Sequence, residues 1–94
     1  MFACASEDLA AHARAWLDRL AGERRLAPRT VRGYGSDLDG FFAFLAEHLG
    51  GPVGTDAIGA LGPLDFRAWL AQRQRQGYAR RSTMRAMAAV RGFL

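Results

Sequence analysis

The sequence predicts an all-α protein, a single four-helix bundle, and three observations carry that prediction. Apolar side chains recur at three- and four-residue intervals along almost the whole chain, the spacing of one helix face. No segment shows the strict alternation of a half-buried strand. Breaks in the periodicity carry prolines where helices open and glycines where they close. With 94 residues, 50% of them hydrophobic, there is enough apolar material for one core and none for a second, so residues 1–94 are expected to form one domain.

The first helix places Leu9, Ala13, Trp16, Leu17 and Leu20 on one face, with Ser6 as its N-cap and Gly22 near its stop. Glu7 and Asp8 suit its first turn, and the i,i+4 spacing of Arg14 and Asp18 allows an ordinary surface pair. The second helix opens at Pro28, whose missing N–H is harmless there. Its apolar face reads Val31, Tyr34, Leu38, Phe41, Phe42, Leu45 and Leu49, and His48 complements the dipole at its far end. "GGPVGTDAIGALG", Gly50 to Gly62, is a loop with one short turn at Asp56 to Leu61. A third helix begins at Pro63, uses Phe66, Trp69 and Leu70 as its core face, and ends around Gln76 and Gly77. The last runs from about Arg80 to the chain end with Thr83, Met87, Val90 and Leu94 inward and Ala86 and Phe93 at the margins.

Several function classes find no support. The longest apolar run, "FFAFLA", falls far short of the roughly 18 residues of a membrane span. "MFACASEDLA" lacks the basic start and apolar block of a secretory signal, so a cytoplasmic protein is expected. Cys4, the single cysteine, lies near a terminus expected to fray and reads as an incidental thiol. His12 and His48 lie in different helices without metal-ligand spacing, so no metal or other cofactor is expected. No glycine-rich strand-to-helix loop cradles a nucleotide. The phenylalanine and tryptophan stripes have core periodicity rather than that of a base-stacking platform.

Charge is the informative feature. Met1 to Glu23 sums to −2, Arg24, Arg25, Arg29 and Arg32 follow, Gly33 to Phe66 holds five acids and no lysine or arginine, and Arg67 to Leu94 holds seven arginines and no acid. Such segregation fits a basic surface for a polyanion as well as a merely solvated face. Two arginine groups stand where a helix repels cations. "LAPRTV" opens the second helix and "YARRST" the last, each with an arginine followed by a hydroxyl residue. At about 100° per residue, Arg29, Arg32, Gly33, Ser36 and Gly40 face outward on the second helix, and Arg81, Arg85, Ala88 and Gly92 on the last. A phosphate docking on the free N–H groups of a helix start offsets the repulsion between the arginines and the dipole. Small residues further along such a stripe would permit close approach to a duplex groove. Gly35, nearer the core side, is assigned to helix packing.

At these residues a family resemblance appears. "LAPRTVRGYGSDLDGFFAFL" resembles the N-terminal, core-binding domain of tyrosine recombinases of the Xer and phage-integrase type, through Thr30, Tyr34, Asp37-Leu38, Phe41 and Phe44. "GYARRSTMRAMAAVRGFL" is similar to that domain's last helix, with Gly77, Arg81, Ser82, Arg85, Arg91 and Phe93 in matching roles. "LDFRAWLAQ" resembles its intervening helix through Asp65, Phe66 and Arg67. The chain departs from the pattern at Ala27, Ala79 and Gly62, where hydroxyl caps are usual, and a lost cap costs about 0.5 to 2 kcal/mol.

The resemblance implies a SAM-like four-helix fold forming half of a clamp around double-stranded DNA. Arg29, Thr30, Arg32, Arg81, Ser82 and Arg85 then face DNA, mostly at phosphates, with one or two arginines available to guanine edges. It also implies other recombinase subunits as partners in a synaptic complex, for chromosome dimer resolution or DNA integration. Catalysis, through an arginine–histidine–arginine set and a tyrosine nucleophile, is implied to belong to a separate domain absent from this chain, which ends at Leu94 where the linker would start. Tyr34 and Tyr78 lack an activating base and are not read as nucleophiles. No membrane or small-molecule partner is expected. A helical protein–protein interaction module remains the alternative.

Overall fold

The computed structural model describes residues 1–94 and contains five helices: α1 (Glu7–Gly22), α2 (Pro28–Leu49), α3 (Thr55–Gly59), α4 (Pro63–Arg75) and α5 (Arg80–Phe93). The four long helices are those anticipated, and α3 is the short turn expected around Asp56. Pro28 and Pro63 each occupy the first turn of their helix. Gly50, at φ 87°, closes α2 in the left-handed conformation that side chains resist, and its N–H returns to the Ala46 carbonyl.

The core is built around α2. Leu38, Phe41, Phe42 and Leu45 are fully buried against Leu9, Ala13, Trp16 and Leu20 of α1, Trp69 of α4, and Ala86, Ala89 and Val90 of α5. Phe41 sits edge-on to Trp69 with ring centres 4.8 Å apart and stacks on Phe66 at 6.0 Å. Truncating Phe41 or Phe42 to alanine would cost about 3–5 kcal/mol.

Contacts along α2 place every neighbour. Trp16 stacks on Tyr34, while Phe2, upstream of α1, meets Phe42, so α1 runs antiparallel to α2. Phe66 lies on Phe41, and Asp65, at the start of α4, reaches His48 near the end of α2, so α4 is antiparallel too. Arg85, in the second turn of α5, meets Asp37 and lies over Gly33 of α2, while Phe93 meets both Phe42 at 5.9 Å and Trp16 at 5.8 Å, so α5 crosses α2 with its early turns beside those of α2. The N-termini of α2 and α5 therefore share one end of the bundle. Those of α1 and α4 share the other.

Three expectations need correction. The N-terminal residues are tied down rather than frayed: Phe2 is 3% exposed, its N–H donates to Asp39 Oδ1 at 2.8 Å, and Cys4, Ala5 and Ser6 pair with Val53 as an isolated bridge. The buried stripe of α5 is rotated toward Ala86, Ala89 and Val90, which leaves Thr83 and Met87 half-buried and Leu94 55% exposed. Side-chain size weighted the sequence reading toward Met87 and Leu94, whereas the close contact with α2 selects alanines. Leu49, placed on the core face of α2, is 48% exposed because the helix outruns its neighbours there.

Candidate nucleic-acid interface

The two helix starts at the α2/α5 end share a construction. Each has alanine at the N-cap with no side-chain hydrogen bond, arginine at the second helical position (Arg29, Arg81), a hydroxyl residue at the third (Thr30, Ser82), and no acid in the first turn. The first helical backbone bonds come from Val31 N–H to Ala27 O and Thr83 N–H to Ala79 O, both 3.1 Å. The N–H groups before them, at Arg29, Thr30, Arg80, Arg81 and Ser82, accordingly face outward. Arg29, Arg32 and Arg81 are exposed and have no carboxylate within ion-pair distance, while Thr30 and Ser82 are half-buried.

Arg85 differs from the other arginines. Its Nε donates to Asp37 Oδ2 at 2.8 Å and its Nη2 to Asp37 Oδ1 at 3.0 Å, a two-point pair across the α2/α5 contact. Asp37 is 6% exposed, whereas the Arg85 side chain is 49% exposed, so one partner is inside and the other spans the boundary. The hydrogen bond to Asp37 raises the guanidinium pKa above its ordinary value. The guanidinium lies over Gly33, where a methyl group would sit 3.5 Å from Arg85 Cζ.

The outward stripes of small residues serve partly internal purposes. A methyl at Gly33 would make ordinary contact with the Arg85 guanidinium, and one at Gly92 would approach Trp16 Cζ2 to 3.1 Å, so Gly92, although exposed, also keeps α5 close to Trp16. Gly35 is buried against Leu17 and Met1, as its core-side position indicated. Ser36, Gly40 and Ala88 are exposed.

Several arginines missed by the sequence reading belong to the same end. Arg24 and Arg25 lie in the link between α1 and α2, and Arg75 closes α4 just before α5 begins. Cations suit the C-terminal ends of helices, and antiparallel packing brings those ends beside the starts of α2 and α5. Arg73 is a further case. It is 7% exposed, its Nε donates to Thr83 Oγ1 at 3.0 Å, and its guanidinium stands 4.1 Å from the Tyr78 ring centre. Tyr78 N–H also returns to Arg73 O at 3.1 Å, past Gly77 at φ 80°. These bonds fix where α5 starts relative to α4.

The opposite end is acidic and self-satisfied. Ser6 caps α1, and Asp8 accepts from Ser6 Oγ, from Leu9 N–H at 2.9 Å and from Thr55 Oγ1 at 3.0 Å; the hydrogen bonds, that from Ser6 first, lower its pKa. Asp65 accepts from Gly62 N–H at 2.8 Å and from His48 Nε2 at 3.0 Å, and the Gly62 bond is the larger cause of its lowered pKa. No cluster of three His, Cys, Asp or Glu side chains converges on one point, and no helix is long and apolar enough to cross a membrane.

An all-helical core with a basic end of this kind defines a helical module. Residues 13–94 match the family of the phage integrase N-terminal SAM-like domain, and the chain belongs to that family. It is 42% identical over 94 residues to tyrosine recombinase XerC of Rhizobium meliloti (strain 1021), covering 100% of this chain and 30% of the relative. Tyrosine recombinase XerC of Agrobacterium fabrum is 42% identical over 90 residues (96% and 29%), and that of Methylobacterium nodulans 46% over 86 residues (92% and 26%). The chain thus spans about a third or less of the curated relatives it matches. No solved structure matches it.

Proposed function

We propose that this domain binds double-stranded DNA as the N-terminal part of a site-specific tyrosine recombinase, gripping phosphates with the starts of α2 and α5. The observation that carries the reading is the contact between the early turns of these helices, where Arg85 lies on Asp37 and over Gly33, which brings two uncapped, arginine-bearing N-termini to one side of the bundle. Free N–H groups and the positive dipole end suit phosphate, and Arg29, Arg32 and Arg81 supply mobile cations beside them. Thr30 and Ser82 offer hydroxyl donors to the same backbone, and Arg85 borders them from its tie to Asp37. A cytoplasmic site of action, assembly with further recombinase subunits, and strand exchange by a separate domain of the parent belong to the same reading.

Exposure of Met84 and Leu94, which with Leu70 and Met87 line the grooves between α4 and α5, favours a second reading, a module that assembles subunits through apolar contact. The double variant Arg29→Glu/Arg81→Glu separates the two. Its helical circular dichroism should match the parent's, while its affinity for a short random-sequence duplex at about 0.1 M salt falls about 100-fold or more, since phosphate contacts dominate such binding. Undiminished affinity would show that duplex binds away from these helix starts, and self-association insensitive to salt without duplex binding favours the subunit-contact reading.

A further inference from the structure

We propose that Asp37 is a specificity-determining residue that acts through Arg85, turning it from a phosphate-seeking cation into a fixed donor for a base edge of guanine type. The inference rests on the duplex-binding reading and deepens it. A guanidinium has five N–H donors in a planar fork. Asp37 occupies the edge formed by Nε and one hydrogen of Nη2, at 2.8 and 3.0 Å. The adjacent, end-on edge, made by Nη1 and the second hydrogen of Nη2, is left free on a side chain that is 49% exposed. That edge presents two parallel donors, the geometry that matches the O6 and N7 acceptors of guanine.

Three features favour a positioning role over a simple tie between helices. A neutral pair contributes little long-range attraction to phosphate, so Arg85 is electrically unlike Arg29, Arg32 and Arg81. The carboxylate is buried and held by α2, whose neighbouring outward residues, Arg32 and Ser36, belong to the same surface. Gly33 puts no side chain beneath the guanidinium, where a methyl would lie 3.5 Å from its Cζ, so its plane is set by the two bonds to Asp37. An arginine held in this way loses less freedom on docking and discriminates by geometry rather than by charge.

The test uses the 94-residue chain, a random-sequence duplex for salt-dependent affinity, and selection from a randomised duplex pool for base preference. Asp37→Asn keeps the shape and frees one positive charge. It should bind the random duplex more tightly, by about eightfold at 0.1 M salt, with a log–log salt slope steeper by about 0.9. The guanine preference that the parent chain shows at one pool position should disappear. The double variant Asp37→Asn/Arg85→Gln, which leaves no buried charge unpaired, should lose both the steeper slope and the preference, and it serves where the single variant fails to fold.

Weaker random-duplex binding by a folded Asp37→Asn would make Asp37 a structural tie only and overturn the proposal. Retained guanine preference in the double variant would overturn it as well. A parent chain that binds duplex with salt dependence but selects no guanine also overturns the proposal, and leaves the duplex-binding reading standing. If the parent chain binds no duplex at all, the duplex-binding reading itself falls, and this proposal falls with it.

Discussion

The two ends of the bundle solve the same problem in opposite ways. At the end where α1 and α4 begin, the exposed N–H groups are met from within the chain: Ser6 and Asp8 serve α1, Asp65 reaches back to Gly62 for α4, and Thr55 and His48 bind the same carboxylates. At the end where α2 and α5 begin, both N-caps are alanine, no acid stands in the first turn, and arginines occupy the second position. The first end is complete in itself. The second lacks the negative charge that its helix starts and arginines both favour, which is what a surface awaiting a polyanion looks like in electrostatic terms.

If the contrast is one of function, substitutions at the two ends should differ in what they change. Ser6→Ala removes a cap from the complete end. Thermal unfolding should show a loss within the about 0.5–2 kcal/mol range of such caps, toward its lower end because Asp8 still accepts from Leu9, with duplex affinity unchanged. A comparable loss of affinity would show that the two ends are not independent.

A smaller effect concerns pH. Asp8 and Asp65 have folded pKa values below the unfolded value of about 3.9, so the stability they contribute is fully present above that value and is lost as pH falls through their lowered folded values. The contribution of these groups to the melting temperature should therefore hold from neutral pH to about pH 4 and fall below it, and Asp8→Asn with Asp65→Asn should flatten part of that fall. A pH profile identical to the parent's would remove the self-satisfied end from the account.

Much of this arrangement could be read from particular residues. Pro28 and Pro63 marked helix starts because proline is favoured at that position alone, and Phe41 and Phe42 marked the core because their spacing leaves them no other face. The uncapped alanines at residues 27 and 79 were legible for the same local reason. What escaped the sequence was long-range. Nothing local tells that Asp37 points inward to a partner on α5, that Cys4 to Ser6 pair with Val53, or that Arg73 stacks on Tyr78. The face of α5 was misjudged because its buried residues are alanines, whose small apolar surface gives a weak periodic signal even though they permit the closest helix contact. Relative helix placement, which brings Arg29 and Arg81 to one end, is likewise a property of the packed bundle.

The most direct test gives the α2/α5 end what the other end already has. The double variant Ala27→Asp/Ala79→Asp supplies a capping carboxylate to each helix start, so the domain should melt at a higher temperature, by the equivalent of about 0.5–2 kcal/mol per cap, while its affinity for duplex DNA drops. Stability and binding moving in opposite directions is the outcome expected if these termini are held open for phosphate. A more stable variant that binds duplex as tightly as the parent would contradict it.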